Sequence, residues 1–167
     1  MVQYVKERVD NNMKKNYLGQ SITGIKQFLD ESFGYYDEFG DEHVNWASPD
    51  DKVDKDGFDK TNVESNGSYI QEVVLPYGKL ICRYGNDRGR LTTDIESDYD
   101  DLGLPYVKET VEYHVYRVIA NDYKVQCTVI KGRVAPMFFS GGGAVQYKHF
   151  QSIAKEKQLG KIEEVFL

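Results

Sequence analysis

The chain is poor in the residues from which many functional sites are built. Its 167 residues include two cysteines, three histidines, four prolines and one tryptophan. Cys82 and Cys127 are far apart in β-patterned runs, which excludes a disulfide framework, a zinc knuckle and a redox CxxC motif. His43, His114 and His149 lack metal-ligand spacing. We therefore expect two buried free thiols and no structural metal.

Basic charge and long apolar runs are also scarce. The formal net charge is -6 and the pI is about 5.1, whereas a binder of duplex nucleic acid normally needs a basic face to neutralise phosphates. No apolar run approaches the length of a transmembrane helix, and the amino-terminal residues have no signal-peptide core. We therefore expect no nucleic-acid partner, no membrane span and no signal peptide in this chain.

The charges that are present are unevenly distributed. Residues 37–64 contain ten acidic residues and three lysines, whereas the residues from 131 onward contain six basic and three acidic ones. We interpret the acidic stretch as solvated surface. The basic end would favour an anionic small molecule.

Apolar periodicity predicts helices at the amino terminus. Val2, Val5 and Val9 recur at helical spacing, and apolar residues recur again between residues 22 and 33 after Ser21, a plausible N-cap. Residues 34–68 are rich in Gly, Asp, Asn and Ser and are expected to be mostly loop, anchored by Trp46 and Phe58.

The remainder of the chain is β-patterned. Strands are predicted at 69–75, 80–84, 111–120 and 123–134, and Asn121-Asp122 would join the last two as a hairpin. A short helix with apolar residues between 150 and 159 ends at Gly160, and 162–167 would be a last strand. The predicted fold class is α+β, with a mostly antiparallel β-sheet core, N-terminal helices and a short C-terminal helix.

A glycine-rich turn that leads to a glutamine is the most informative motif. It reads Ser140-Gly141-Gly142-Gly143-Ala144-Val145-Gln146-Tyr147, and it follows an Arg83-Tyr84-Gly85 triplet that closes a strand-like run. Glycine lets backbone approach a ligand closely, and the arginine fork can bind phosphate through two donors. The pair suggests a nucleotide site.

Structural interpretations of the same residues stay open. The glycines would also suit a tight turn at the entrance of a helix over 148–159, which Gln146 would cap. Arg83 would also suit a surface ion pair. His114, which shares one face of the 111–120 run with Glu112 and Tyr116, would also suit a satisfied strand histidine.

Several motifs occur in a fixed order along the chain. They are Trp46, Asp56-Gly57-Phe58, Arg83-Tyr84-Gly85, Gly89-Arg90, Leu104-Pro105-Tyr106, Tyr113-His114-Val115-Tyr116-Arg117-Val118, Ala135-Pro136-Met137-Phe138 and Gly142-Gly143-Ala144-Val145-Gln146-Tyr147. In this order they resemble the tuberculosis necrotizing toxin family of NAD glycohydrolases. The resemblance covers about residues 46–166 and implies a toxin domain over 46–167. Residues 1–45 fall outside it. We expect them to form a helical appendage that packs on this domain, because its apolar faces need burial; a remnant of a delivery region is the alternative.

The resemblance also implies an activity. A secreted toxin domain of this family would hydrolyse NAD, or NADP, to ADP-ribose and nicotinamide in the target-cell cytosol during interbacterial competition. NAD would be the substrate, no cofactor is implied, and a cognate immunity protein would protect the producer. Transfer of ADP-ribose to a macromolecule and a non-catalytic module that binds NAD or a partner stay open as alternatives.

By the same resemblance, Arg83, His114 and Gln146 are the catalytic residues. The residues expected to contact substrate are Tyr84, Gly85, Phe138, Gly142, Gly143 and Tyr147. The chain departs from the family pattern at three positions. Leu91 stands where the family commonly has an aromatic residue, Met137 replaces a tryptophan, and Ala144 replaces a frequent glycine.

The chemistry explains why no pair of catalytic carboxylates is needed. Nicotinamide leaves the cationic pyridinium as a neutral molecule, so its departure requires no general acid. The enzyme must anchor the pyrophosphate, orient the ribose and admit one water. We expect Arg83 to bind the pyrophosphate, Gln146 to position ribose hydroxyls or the water, and His114 to support them by hydrogen bonding.

Overall fold

The computed structural model describes residues 34–36, 42–44, 51–102, 104, 108–122, 124–136 and 142–166. Strands β1 (Gly34–Tyr36) and β2 (Glu42–Val44) pair antiparallel as a two-stranded sheet within a segment expected to be mostly loop. The predicted amino-terminal helices, Trp46 and residues 137–141, which include the first two residues of the glycine-rich turn, lie outside the described residues.

One antiparallel sheet of seven strands dominates the described residues, with the order β3-β7-β8-β5-β4-β6-β9. Its strands are β3 (Ile70–Leu75), β4 (Leu80–Tyr84), β5 (Leu91–Asp94), β6 (Tyr113–Val118), β7 (Cys127–Arg133), β8 (Val145–His149) and β9 (Ile162–Val165). Two 3₁₀ turns (Tyr99–Asp101 and Lys108–Thr110) and one short helix, α1 (Ile153–Gln158), complete the described elements. The prediction of a mostly antiparallel sheet followed by a short C-terminal helix is confirmed.

The predicted hairpin at Asn121-Asp122 is wrong. Strand β6 pairs with β4 and β9, whereas β7 pairs with β3 and β8. After β6, the backbone N–H of Ile119 donates to the Lys161 carbonyl, so the chain remains attached to the segment that leads into β9. The partner of each strand is set by the burial of pairs such as Val118 and Ile162, which lie opposite each other in the core.

The glycine-rich turn leads into a strand. Residues 145–149 form β8, so the interpretation of the turn as a helix entrance with Gln146 as its cap is wrong. The helix begins later, at Ile153, where the hydroxyl of the N-cap residue Ser152 accepts the N–H of Lys155. The sequence patterns did not predict strand β5. It pairs with β4 on one side and with β8 on the other.

The two faces of the large sheet carry different layers. Alternate residues of a strand point to opposite faces, and directly paired residues of neighbouring strands point to the same one. On the face that we call the helix face, buried residues of the sheet cluster with Ile153 of α1; among them are Ile81, Tyr116, Val129, Tyr147 and Ile162.

The opposite face, which we call the loop face, carries a row of paired residues across four strands. Cys82 lies opposite Thr93, Thr93 opposite Gln146, and Gln146 opposite Gly132. Residues 54–58, which we call the Asp56 loop, lie over the end of this row.

A buried polar group joins α1 to the sheet on the helix face. His149 and Glu156 are both 0% exposed. The His149 Nε2 lies 2.8 Å from the Thr92 hydroxyl, and the Lys161 ammonium lies 3.4 Å from Glu156. Burial lowers the pKa of His149; burial alone would raise the pKa of Glu156, but His149 and Lys161 hold it below its usual value. The helix is thus docked by a carboxylate and a cation as well as by Ile153.

Phe58 attaches the Asp56 loop to β7 on the loop face. Its side chain is 1% exposed, and a Cβ atom added at Gly132 would lie 2.5 Å from its Cδ1. Phe58 also forms a backbone bridge with Val134. Because Gly132 has no side chain, the Phe58 ring can pack directly against the backbone of β7.

We predict that Gly132→Ala lowers the free energy of unfolding by about 1–3 kcal/mol, because the added methyl group overpacks the Phe58 ring. Urea denaturation followed by circular dichroism measures the change. In the double variant with Phe58→Leu, the total loss should be smaller than the sum of the two single losses, since the smaller side chain relieves the clash. Additive losses would contradict the contact.

Candidate active site

Gln146 lies near the middle of the loop face with a largely buried side chain. It is 8% exposed, and its Nε2 donates to the backbone carbonyl of Asp56 at 3.0 Å. Two residues further along β8, and therefore on the same face, Lys148 places its ammonium 2.7 Å from the Asp56 carboxylate. A buried amide is unusual unless its polar atoms have partners, and here the Asp56 loop supplies one.

Three tyrosines form a cluster at one end of the loop face. The ring of Tyr84 lies 4.8 Å, centroid to centroid, from those of both Tyr99 and Tyr113. Burial raises the pKa of Tyr84, and it raises the pKa of Tyr113 to about 12. At neutral pH Tyr84 and Tyr113 are therefore uncharged phenols, able to stack and to donate hydrogen bonds.

A small apolar cluster connects the tyrosines with the glycine turn. Leu102, Val134 and Ala144 are buried together, and Tyr84 and Tyr99 pack against them. The backbone N–H of Ala144 donates to the carbonyl of Asp101, in the 3₁₀ turn that begins at Tyr99. The loop face thus carries aromatic rings, a fixed amide and glycine backbone on one continuous layer.

The two described glycines of the turn have different surroundings. Gly142 has a φ of 66°, and an added Cβ would lie 2.6 Å from the backbone nitrogen of Pro136. Gly143 has a φ of 90° with nothing within 4 Å of its Cβ position. Gly142 therefore serves the close packing of the chain against its own backbone, whereas Gly143 borders open space.

Arg83 lies on the helix face, where it holds the loop that joins β4 to β5. Its Nε donates to the Asn86 carbonyl at 2.6 Å and its Nη1 to the Leu91 carbonyl at 2.9 Å. An added Cβ at Gly89 would lie 2.0 Å from the Arg83 Nη2. The guanidinium is thus packed against the loop backbone, and its predicted contact with a pyrophosphate stays a prediction.

His114 lies beside Arg83 on β6, its direct cross-strand neighbour. Its Nε2 lies 2.9 Å from a carboxylate oxygen of Glu112, and its Nδ1 makes a short contact with Glu164. The hydrogen bond that His114 donates to Glu112 raises the pKa of His114, partial burial lowers it, and Glu164 raises it again, so that the net direction is upward. The imidazolium form of His114 is therefore more favoured than in a free histidine.

The structure brings the predicted catalytic residues together only in part. Arg83 and His114 share the helix face, whereas Gln146 lies on the loop face. In addition, β4 and β8 are both antiparallel to β5 and so run in the same direction. Arg83-Tyr84-Gly85 ends β4 and the glycines precede β8, so the two motifs lie towards opposite ends of the sheet.

The predicted substrate contacts divide in the same way. Tyr84 joins the tyrosine cluster. Gly85 directly follows β4, and its N–H donates to the Glu112 carbonyl at 2.9 Å. Tyr147 is 3% exposed in the helix-face core, and its hydroxyl donates to Asp94 at 2.6 Å. Phe138 lies outside the described residues.

Cys82 lies on the loop face in the same row as Gln146, and it is free and buried, as is Cys127. The expectation of two buried free thiols is confirmed. Burial raises the pKa of Cys82 to about 11. Because the thiolate is the nucleophilic form, Cys82 is unreactive at neutral pH.

The residues that sequence reasoning missed at this site are Asp56 and Lys148. Asp56 opens the Asp56-Gly57-Phe58 motif, and Lys148 follows Gln146 at the strand spacing of two. The motif was visible in the sequence. Its contact with a residue some 90 positions later in the chain was not.

These features define a class of protein: an antiparallel sheet that packs against a short helix on one face and presents a fixed amide, a tyrosine cluster and a glycine turn on the other. The sequence profile of the family described as Tuberculosis necrotizing toxin matches residues 74–165 of this chain, which is more than half of its length. The chain belongs to the tuberculosis necrotizing toxin family.

Solved structures include relatives of this fold. The atomic structure of tuberculosis necrotizing toxin complexed with its immunity factor IFT matches with a TM-score of 0.51 and 16% identity, over 82% of this chain and 69% of that chain. Rhs1-CT in complex with its cognate immunity protein RhsI1 matches with a TM-score of 0.43 and 12% identity, over 59% and 78% of the two chains. At 16% identity the likeness to the first of these structures concerns the fold alone.

No curated protein matches the sequence. In the described part of the chain, no helix has both the length and the hydropathy that a membrane-spanning segment requires.

We predict that His114 contributes to stability in a pH-dependent manner. Because folding raises its pKa, the contribution is complete below the unfolded-state pKa of about 6.5 and is lost as the pH rises through the folded-state value. Urea denaturation of wild type and His114→Gln across this range should show a difference in unfolding free energy that shrinks with rising pH. Glu112→Gln should weaken the same trend. A difference that does not change with pH would contradict the assignment.

Proposed function

We propose that this chain is a toxin domain that hydrolyses NAD, or NADP, to ADP-ribose and nicotinamide. Membership of the toxin family supports the proposal. The observation that carries it is the position of Gln146, a buried amide fixed by the Asp56 carbonyl between a tyrosine cluster and glycine backbone. A dinucleotide offers flat rings to stack, ribose hydroxyls to hydrogen-bond and a pyrophosphate for close backbone approach.

The loop face suits cleavage of a bond whose leaving group needs no proton. Nicotinamide departs as a neutral molecule, so the site must orient the ribose, stabilise positive charge that develops at its anomeric carbon and hold one water. In this proposal Gln146 orients the ribose hydroxyls or the water. The phenol rings of the tyrosine cluster supply stacking surface, and Gly143 borders the space in which the pyrophosphate approaches the backbone.

Arg83 and His114 are proposed to act from the other side of the sheet. Arg83 holds the carbonyls of the 85–91 loop, and the pair His114–Glu112 adjoins the hydrogen bond from Gly85 to the Glu112 carbonyl. Both residues therefore shape the turn that follows Tyr84. A phosphate contact by Arg83 would require the ligand to pass around the carboxyl end of β4.

The biological setting is part of the same proposal. We propose that the domain is delivered as a secreted effector to the cytosol of a target cell, where loss of NAD is toxic. A cognate immunity protein in the producer would block it. Support comes from the family and from the solved tuberculosis necrotizing toxin, which was determined with its immunity factor.

We predict that Gln146→Ala lowers nicotinamide release from NAD by about 10²- to 10³-fold, since one preorganised polar contact with the reacting centre is lost. Release of nicotinamide and ADP-ribose by purified protein is measured by chromatography, with folding checked by circular dichroism. Near-normal turnover by a folded Gln146→Ala protein would contradict the assignment. Absence of turnover in wild type, with NAD bound or with ADP-ribose transferred to a macromolecule, would support a binding module or a transferase instead.

Two variants at Arg83 distinguish its roles. If Arg83 acts by holding the 85–91 loop, Arg83→Lys and Arg83→Ala should both lower stability, because a lysine cannot donate to the carbonyls of Asn86 and Leu91 in the same geometry. If Arg83 instead binds the pyrophosphate, Arg83→Lys should retain stability and raise KM for NAD. Thermal unfolding and steady-state kinetics on the same samples separate the two results.

A further inference from the structure

The amide of Gln146 has a defined orientation. The group that faces it at 3.0 Å is a backbone carbonyl, that of Asp56, and a carbonyl oxygen can only accept. The amide NH₂ must therefore face the Asp56 loop, which directs Oε1, an atom that only accepts, away from it. Among the described residues, Asp56 is the single hydrogen-bond partner of the Gln146 side chain.

The Asp56–Lys148 ion pair holds that carbonyl in place. Lys148 and Gln146 project from β8 on the same face, so one strand contacts both the side chain and the backbone of Asp56. The Lys148 and Asp56 side chains are 22% and 16% exposed. A pair this far removed from water is screened much less than one on the open surface.

The rest of the Asp56 loop is closed on itself. The Asp54 carboxylate accepts the N–H groups of Asp56 at 2.9 Å and of Phe58 at 3.0 Å. The Gly57 carbonyl accepts the N–H of Ala135, and the Phe58 ring fills the space beside Gly132, the cross-strand neighbour of Gln146. A loop with these attachments can fix the position of an amide on the neighbouring strand.

We propose that the Asp56–Lys148 pair is a positioning device for Gln146, and that Gln146 contacts the substrate through Oε1 as an acceptor. This inference rests on the proposed NAD hydrolysis. It assigns to Gln146 a partner that donates a hydrogen bond, such as a ribose hydroxyl or the attacking water. Phosphate oxygens and the nicotinamide carbonyl are acceptors themselves, so neither is the partner of this atom.

The kinetic test compares Lys148→Met and Lys148→Arg with wild type, using NAD as substrate. We expect Lys148→Met to lower kcat about tenfold to a hundredfold with little change in KM, since a shift of the amide misplaces a group that acts in the transition state. Lys148→Arg retains the ion pair and should retain most of the activity. Arg117→Met removes an exposed ion pair with Glu163 between β6 and β9 and should leave kcat unchanged.

A double-mutant cycle separates positioning from a general structural role. In a Gln146→Ala background, Lys148→Met should cause no further loss of kcat, because the group that Lys148 positions is already absent. A further loss as large as the one in wild type would overturn the positioning role.

Gln146→Glu tests the orientation of the amide. A carboxylate places an acceptor against the Asp56 carbonyl, so activity should fall as far as in Gln146→Ala, and retained activity would overturn the assignment of Nε2 to this bond.

Nuclear magnetic resonance of the Gln146 side-chain amide tests the positioning role of the Asp56–Lys148 pair without a measurement of turnover. The resonance is identified by its absence from Gln146→Ala. We expect its two hydrogens to exchange slowly with solvent in wild type and Lys148→Arg, and rapidly in Lys148→Met. Unchanged exchange in Lys148→Met would overturn the proposal even for a protein that does not hydrolyse NAD, whereas a failure of NAD hydrolysis with the expected exchange would contradict the proposed function alone.

Discussion

The alternation of side chains along β8 is the constraint on which both the core and the candidate site depend. Tyr147 and His149 point to the helix face, where they join the buried core and the polar group that docks α1. Gln146 and Lys148 point to the loop face, where they contact Asp56. Because the period of a strand is two, a shift of β8 by one residue would exchange these sets, burying a lysine in the core and exposing the core tyrosine.

Because of this alternation, the two faces of the sheet carry different kinds of side chain. The helix face contains buried charged and titratable groups with internal partners: Glu156 has Lys161, and His149 has Thr92. Such groups are costly to bury alone, so their pairing makes the attachment of α1 specific. The loop face carries polar groups, such as the Gln146 amide, that a hydrogen bond holds in one orientation. A fixed amide beside phenol rings suits ligand recognition, which is why the proposed chemistry belongs to this face.

Several elements and site residues were predictable because their signals are local. The β-branched and aromatic runs over 69–75 and 80–84 correspond to β3 and β4, and the apolar spacing before Gly160 corresponds to α1. The family was indicated by the order of short motifs, and Gln146 was singled out by the glycines before it. By contrast, the four-residue strand β5 has too short a pattern to be recognised, and the false hairpin at Asn121-Asp122 arose because a good turn does not determine which strands pair.

The sequence by itself determined the β-rich character of the chain and its family, and it indicated the candidate site residues, since each of these follows from residue type and order. Only the tertiary structure decided that Arg83 and His114 lie across the sheet from Gln146, and that Asp56 is the residue that orients it. Those facts depend on strand order and register. Both are selected by the burial of residues distant in the chain, which no local pattern contains.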